Sequence, residues 1–168
     1  MKHGMKIFGA IMIAHWLEHL YQAYQVYVLH MDRMCALGML GMKYPWLIRT
    51  ESLHFGFAWL TVIMFYVAGV RYFSNTLAIK FWVAGWIAAF FHLVEHSLLF
   101  AQAVSHHYLF GATQPTSLLQ LLVPRIELHL FYNTIITILM ILSLEQEHSY
   151  REIERFKRDH PEHCELCR

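Results

Sequence analysis

Residues 80–104 read KFWVAGWIAAFFHLVEHSLLFAQAV. This run carries only two formal charges, Lys80 and Glu95, and its other residues are mostly apolar or aromatic. A run of about 20 predominantly apolar residues is long enough to cross the hydrocarbon core of a bilayer as a helix. Three further runs resemble it, so we expect membrane spans at about residues 6–30, 47–70, 80–104 and 124–144.

The composition of the 168-residue chain supports the same interpretation. Hydrophobic residues make up 57% of the chain and charged residues 15%, whereas a soluble domain carries about 25% charged residues. The formal net charge is +1, so nothing indicates a nucleic-acid partner. The sequence therefore predicts an all-α integral membrane protein that is surrounded by membrane lipid, and it does not indicate an oligomeric state.

The distribution of Lys and Arg predicts the orientation, because cytoplasmic loops are enriched in these residues. One side of the predicted spans has Lys2, Lys6, Arg71, Lys80, Arg151, Arg155, Lys157 and Arg158; the other has Arg33, Lys43, Arg49 and Arg125. We expect both termini in the cytoplasm, in a plasma or inner membrane. The polar tail, residues 145–168, is expected to continue the fourth span as a cytoplasmic helix.

Two copies of the pattern H-x-x-E-H lie inside the predicted spans, at His15–His19 and at His92–His96. Residues three and four positions apart share one face of a helix, so each copy presents two imidazoles and a carboxylate from one stripe. Ionisable side chains inside a membrane are costly and usually functional. The two copies therefore predict a site that binds metal ions or protons.

The order of polar residues indicates an internal duplication. Each motif is followed, at the same interval, by a glutamine. A Leu-His pair with a glutamate just upstream comes next. These residues are Gln25, Glu51 and His54 in one copy and Gln102, Glu127 and His129 in the other. We expect two repeat units, about 6–70 and 80–144, related by a pseudo-twofold axis along the membrane normal. Residues 1–144 would form one four-helix transmembrane bundle that binds metal.

The repeat units predict that all the Glu and His groups meet in the outer half of the bilayer. Four-helix bundles that hold two iron or manganese ions use glutamates and Glu-x-x-His pairs that point inward. We expect about two divalent ions, with iron favoured over zinc, manganese or copper, and we expect Gln22 and Asn133 to orient the ligating imidazoles. The candidate ligands are His15, Glu18, His19, Glu51, His54, His92, Glu95, His96, Glu127 and His129.

A redox-active metal would support an oxidoreductase, such as one that hydroxylates or desaturates a lipophilic substrate with oxygen and an electron donor. The H-x-x-E-H pattern also occurs in zinc proteases, but two copies with additional Glu-His pairs exceed what a mononuclear hydrolase needs. The H-x-x-H-H boxes of histidine-rich membrane di-iron hydroxylases are absent, so the chain is not assigned to that family. No catalytic residue is predicted.

Three alternatives remain open at this stage. Facing histidines could clamp haem b in an electron-transfer cytochrome, although this leaves the glutamates unexplained. The Met-rich first loop could bind or traffic copper through soft sulfur ligands, or its methionines could pack an amphipathic helix on the membrane. Buried His-Glu hydrogen bonds could also serve as scaffolding, at about 0.6 kcal/mol each. The loop sulfurs belong to Met31, Met34, Cys35, Met39 and Met42.

The C-terminal segment contains H-x-x-H-C-x-x-C at residues 160–167. These residues would suffice to ligate a zinc ion. We nevertheless expect a disordered end that binds metal adventitiously, because almost no chain follows the last cysteine.

Overall fold

The structure is a computed structural model that describes residues 2–160, of which 81% are helical, with no strand in that range. The all-α prediction is confirmed. The helices are, in chain order, α1 (Lys2–Tyr27), α2 (Gly38–Lys43), α3 (Pro45–Arg49), α4 (Ser52–Tyr72), α5 (Thr76–Ser105) and α6 (Arg125–Asp159). Helices α2 and α3 belong to the first loop, residues 28–51, and two 3₁₀ turns, Leu109–Gly111 and Leu119–Leu121, to the second loop, residues 106–124.

Three helices of the described chain, α4, α5 and α6, are long and apolar enough to cross a membrane. Helix α1 has 26 residues but is not among the three, so the composition supports three of the four expected spans. The reason is its polar content: it contains Lys6, His15, Glu18, His19, Gln22 and Gln25.

Large apolar side chains cover the outside of the three apolar helices. Tyr66 of α4, Phe91 of α5 and Phe131 of α6 are 63%, 60% and 59% exposed. Soluble monomers rarely expose extended apolar patches, whereas lipid solvates such side chains. The surface therefore supports the assignment to a membrane.

The four long helices contact one another in a ring, in which α1 and α5 each pack against α4 and α6. Their core contains Phe8 and Met12 of α1, Phe65 of α4 and Trp82 of α5. The Trp82 Nε1 donates a hydrogen bond of 2.7 Å to the Phe65 carbonyl. Gly85 allows α5 to approach closely, because a Cβ there would lie 2.9 Å from the Phe65 ring.

The extension of α6 beyond residue 144 holds the short connection between α4 and α5. Glu147 is fully buried and accepts hydrogen bonds of 2.9 Å from the backbone amides of Ser74 and Asn75. It also pairs with Arg151 at 2.7 Å. The Asn75 side chain in turn caps α5 by accepting from two amides of its first turn. The predicted metal-binding tail at residues 160–167 lies, apart from its first histidine, outside the described residues.

Candidate metal centre

Six histidine side chains from all four long helices meet at the end of the ring where both loops lie, which we call the loop end. They are His15 and His19 of α1, His54 of α4, His92 and His96 of α5, and His129 of α6. All except His15 are buried, with at most 5% of each residue exposed. We call this group the histidine cluster.

Each H-x-x-E-H motif places its two imidazoles nearly perpendicular to each other, with their Nε2 atoms in contact. The Nε2 atoms of His15 and His19 are 3.1 Å apart, and those of His92 and His96 are also 3.1 Å apart, which is a hydrogen-bond distance. Two nitrogens that ligate one ion at about 2.0–2.1 Å are separated by about 2.9–3.4 Å when they subtend roughly 90–110° at the metal. The spacing of both pairs thus suits two ligands of one ion as well as a hydrogen bond between the rings.

A third imidazole lies beside each pair. The ring centroid of His129 is 4.8 Å from that of His96 and 5.3 Å from that of His92. The ligand atoms of these three residues lie within 4.8 Å of one another, close enough for one metal ion. In the other half of the molecule, the His54 ring lies 5.5 Å from His19 and 6.0 Å from His15.

The two trios of histidines are in direct contact. The rings of His54 and His96 are nearly parallel, with centroids 5.4 Å apart, and the rings of His19 and His129 stack at 5.6 Å. Centroids of neighbouring rings in the cluster are 4.4–6.0 Å apart, so the six imidazoles form one contiguous group.

Several buried nitrogens of the cluster have no hydrogen-bond partner among the described residues. They are Nδ1 of His54, His92 and His96 and Nε2 of His129. A buried polar atom without a partner costs about 1–3 kcal/mol, and such atoms in a native fold call for a specific explanation such as an ion. The cluster therefore has the properties expected of a metal-binding site.

The glutamates of the two motifs contact the loops. The Glu18 carboxylate accepts a 2.6 Å hydrogen bond from the backbone amide of Leu40, and Glu95 accepts one from the hydroxyl of Ser117. The second oxygen of Glu95 lies 4.0 Å from Nδ1 of His92. Of these two carboxylates, Glu95 is thus the one that the structure brings close to an imidazole.

The other two glutamates form ion pairs at the loop end. Glu51 pairs with Arg125, and Glu127 pairs with Arg33 and accepts a hydrogen bond from Tyr27. Glu51 has a positive φ of 59° and precedes α4, so its three-residue spacing to the next histidine is not a helical spacing. The structure thus brings the six predicted histidines together and directs these two glutamates to arginines.

The two predicted supporting residues differ in what they contact. The Oε1 of Gln22 lies 2.8 Å from Nδ1 of His19, at hydrogen-bond distance, and the Nε2 of this ring faces His15. The Asn133 amide donates instead to the backbone carbonyl of His129, at 2.9 Å. Only Gln22 therefore contacts a cluster imidazole in this structure.

Three residues beside the cluster were not predicted from the sequence. One of them is Phe57, whose ring stacks on that of His15 with centroids 3.6 Å apart. Arg125 lies four positions before His129, and this spacing, which places both on one face of α6, was the available signal. Tyr132 lies against the His92 ring with centroids 4.7 Å apart. Nothing in the sequence distinguishes this tyrosine from the others of the chain.

A cavity of about 1160 Å³ lies between the two loops and reaches the cluster. His54 and His129 line this cavity and are at most 5% exposed, so the end of the cavity that they line is buried. The lining combines charged, amide and sulfur-containing side chains, including Asp32, Arg33, Glu51, Arg125, Gln22, Gln120, Met31, Met34 and Cys35. The cavity therefore connects the loop surface with two imidazoles of the candidate site.

Comparison of the chain with protein-family models, with curated proteins and with solved structures gives no significant match. The functional assignment therefore depends on the residues of this chain. Three helices that can cross a membrane and a buried trio, His92, His96 and His129, that could hold a metal ion indicate a membrane protein with a candidate metal centre.

Proposed function

We propose that this protein is an integral membrane metalloprotein in which the histidine cluster holds two metal ions, and that a redox-active metal there supports oxidoreductase activity. One observation carries the proposal: three imidazoles from each half of the chain meet at the loop end, and the Nε2 atoms of each H-x-x-E-H pair are 3.1 Å apart. Each trio would ligate one ion. Because the trios touch, the two ions would form a dinuclear centre.

The ligand set favours copper over the iron expected from the sequence. The cluster offers imidazole nitrogens, whereas the carboxylates of Glu18, Glu51 and Glu127 are engaged by loop groups and arginines. Imidazole suits zinc, copper, iron and nickel, while manganese prefers oxygen ligands. Copper is favoured over iron because Cu(II) has the highest affinity of the first-row divalent ions, and copper can also exchange electrons.

Corresponding contacts in the two halves support the proposed duplication. The Gln25 side chain accepts a hydrogen bond from the amide of Gly38, at 2.9 Å, and Gln102 accepts one from the amide of Leu109, at 3.0 Å. Each glutamine thus holds the loop that follows its own helix. We propose that residues 6–70 and 80–144 are repeat units of a four-helix transmembrane bundle with α1 as its fourth span.

The proposed orientation places both termini in the cytoplasm of a plasma or inner membrane and the loop end outside. The cavity would then connect the centre with the outer solution. Its lining combines charged and amide side chains with apolar ones such as Val26, Leu37 and Ile126, so a lipophilic substrate that carries a polar group would fit it. The proposed oxidoreductase activity would also use an electron donor, which is not assigned to any residue of this chain.

Metal analysis of the purified protein tests the proposed centre. After removal of metal with a chelator, reloading with copper and removal of unbound ions, we expect about two ions per chain. His129→Ala should lose one ion and His15→Ala the other, because each removes one imidazole of a different trio. His148, exposed on the polar part of α6, provides the matched control, and His148→Ala should keep both ions.

Three results would overturn the proposed centre. The first is a wild-type protein that binds no metal, and the second is wild-type metal content in both cluster variants. The third is a Soret band that persists through purification, which would establish a haem protein instead.

A further inference from the structure

We propose that the cavity is the entry route for cuprous ions and that Met31, Met34 and Cys35 form a capture site at its mouth. This inference rests on the proposed metal centre and adds the oxidation state in which the metal arrives and the path it takes. The sulfur atoms of the three residues would bind the ion first, and the imidazoles at the buried end would then take it over.

The cavity lining connects the two kinds of ligand. Met31, Met34 and Cys35 line the same cavity as His54 and His129. The cysteine is free and exposed and Met34 is 64% exposed, while the two histidines are buried. An ion that binds at the surface sulfurs would thus lie in the same cavity as the imidazoles of His54 and His129.

A tight turn holds the three sulfur-bearing residues on one segment. The Asp32 side chain accepts a 2.7 Å hydrogen bond from the Met34 amide, and the Asp32 carbonyl accepts one of 2.8 Å from the Cys35 amide. The Met31 amide is anchored to the carbonyl of Gln25, at 2.9 Å. The turn is therefore ordered by its own hydrogen bonds before any ion binds.

The chemistry of these side chains selects the ion. Thioethers and thiolates are soft ligands that prefer Cu(I). Oxygen ligands, which hard divalent ions prefer, are represented at this turn by Asp32, one oxygen of which accepts the hydrogen bond from the Met34 amide. Imidazole binds copper as well. Transfer from sulfur to nitrogen inside the cavity therefore requires no change in the oxidation state of the ion.

The charges along the path are balanced. Arg33 pairs with Glu127 and Arg125 pairs with Glu51. Each guanidinium in the lining thus has a carboxylate partner, so the cavity presents little net positive charge to an entering cation.

The second Met-x-x-Met pair of the first loop has a different environment. Met39 and Met42 are not part of the cavity lining. Met39 is 60% exposed, and the Met42 sulfur accepts a 3.0 Å hydrogen bond from the Gln25 amide. Met39 is therefore a matched control: it is a methionine of the same loop with similar exposure, but away from the path.

Loading kinetics of the metal-free full-length protein in detergent test the route. Cu(I) is supplied without oxygen as its acetonitrile complex, and rates are compared for wild type, the triple variant Met31→Ala/Met34→Ala/Cys35→Ser, and Met39→Ala. We expect at least tenfold slower Cu(I) loading in the triple variant, with the same final copper content and an unchanged rate for Zn(II). Met39→Ala should load as the wild type does.

The outcomes separate this inference from the proposed centre. If wild type binds neither Cu(I) nor Zn(II), the proposed centre itself fails. If wild type loads normally and the triple variant loads equally fast, or Met39→Ala is slowed as much, the entry route is wrong and the centre stands. The final zinc content of the triple variant reports whether this variant is folded. If its zinc binding is lost, the single variants Met34→Ala and Cys35→Ser are compared with wild type instead. Wild-type loading rates in both single variants would overturn the route.

Discussion

Replacing His129 by leucine should stabilise the metal-free protein while it removes one metal site. His129 is 3% exposed, and its Nε2 has no hydrogen-bond partner. Removing a buried unpartnered nitrogen relieves about 1–3 kcal/mol. Loss of the ring contacts with the neighbouring imidazoles costs about 0.5–1.5 kcal/mol, and leucine retains most of the buried apolar volume.

The expected net effect for His129→Leu lies between a loss of about 0.5 and a gain of about 2.5 kcal/mol in the free energy of unfolding of the metal-free protein, centred on a gain of about 1 kcal/mol. The response to metal should move in the opposite direction. A bound ion stabilises by about 4 kcal/mol when its free concentration is about 1,000 times its dissociation constant. Wild type should show this increment for two ions and the variant for one, because the trio of His15, His19 and His54 is intact.

Urea unfolding of the detergent-solubilised protein, followed by tryptophan fluorescence, measures both effects. Each variant is unfolded after treatment with a chelator and again after copper loading, with His148→Leu as the exposed control. If metal-free His129→Leu is less stable than wild type by more than about 1 kcal/mol, the imidazole is a structural element of the core. If copper stabilises the variant as strongly as wild type, His129 is not a ligand.

Two further comparisons use pairs of matched variants. Glu95→Gln should weaken copper binding about 10–100-fold, because a carboxylate beside a ligating histidine orients that histidine and raises its basicity. Glu18→Gln should change the dissociation constant by less than about twofold. Equal effects of the two variants in a metal titration would contradict this assignment. Gly38→Ala should lower the free energy of unfolding by at least about 1 kcal/mol more than Gly111→Ala. Both glycines have a positive φ, 77° and 68°, so alanine causes backbone strain at either position. Only at Gly38 would the added Cβ overlap another group, the Glu18 carboxylate. Equal losses in urea unfolding would show that this overlap is relieved without cost.

The two H-x-x-E-H motifs show how far local patterns predict the site. The i, i+4 spacing of a helix brings His15 to His19 and His92 to His96 without help from the rest of the chain, and the structure has both pairs at 3.1 Å. The same spacing argument places each glutamate on the histidine face. It does not say what that carboxylate binds, because the competing donors come from loops distant in sequence.

The second span illustrates a limit of spacing arguments. The side chains of Glu51 and His54 would share one face, as in a Glu-x-x-His pair, only if a single helix contained both residues. Helix α4 instead begins at Ser52, and the left-handed backbone at Glu51 turns its carboxylate toward Arg125, 74 positions further along the chain. A helix start depends on which partners satisfy its first free amides, and those partners are defined by the tertiary fold.

The sequence by itself determined that the protein is helical and rich in apolar surface, and that histidines lie in pairs on buried helix faces, because apolar run length and helical periodicity are local properties of the chain. The tertiary structure decided which groups meet. It assembled six imidazoles from four helices and directed three of the four candidate glutamates to loop amides and arginines. Hydrogen-bond and charge partners are chosen by proximity in space, and residues 70–120 positions apart become neighbours only when the chain has folded.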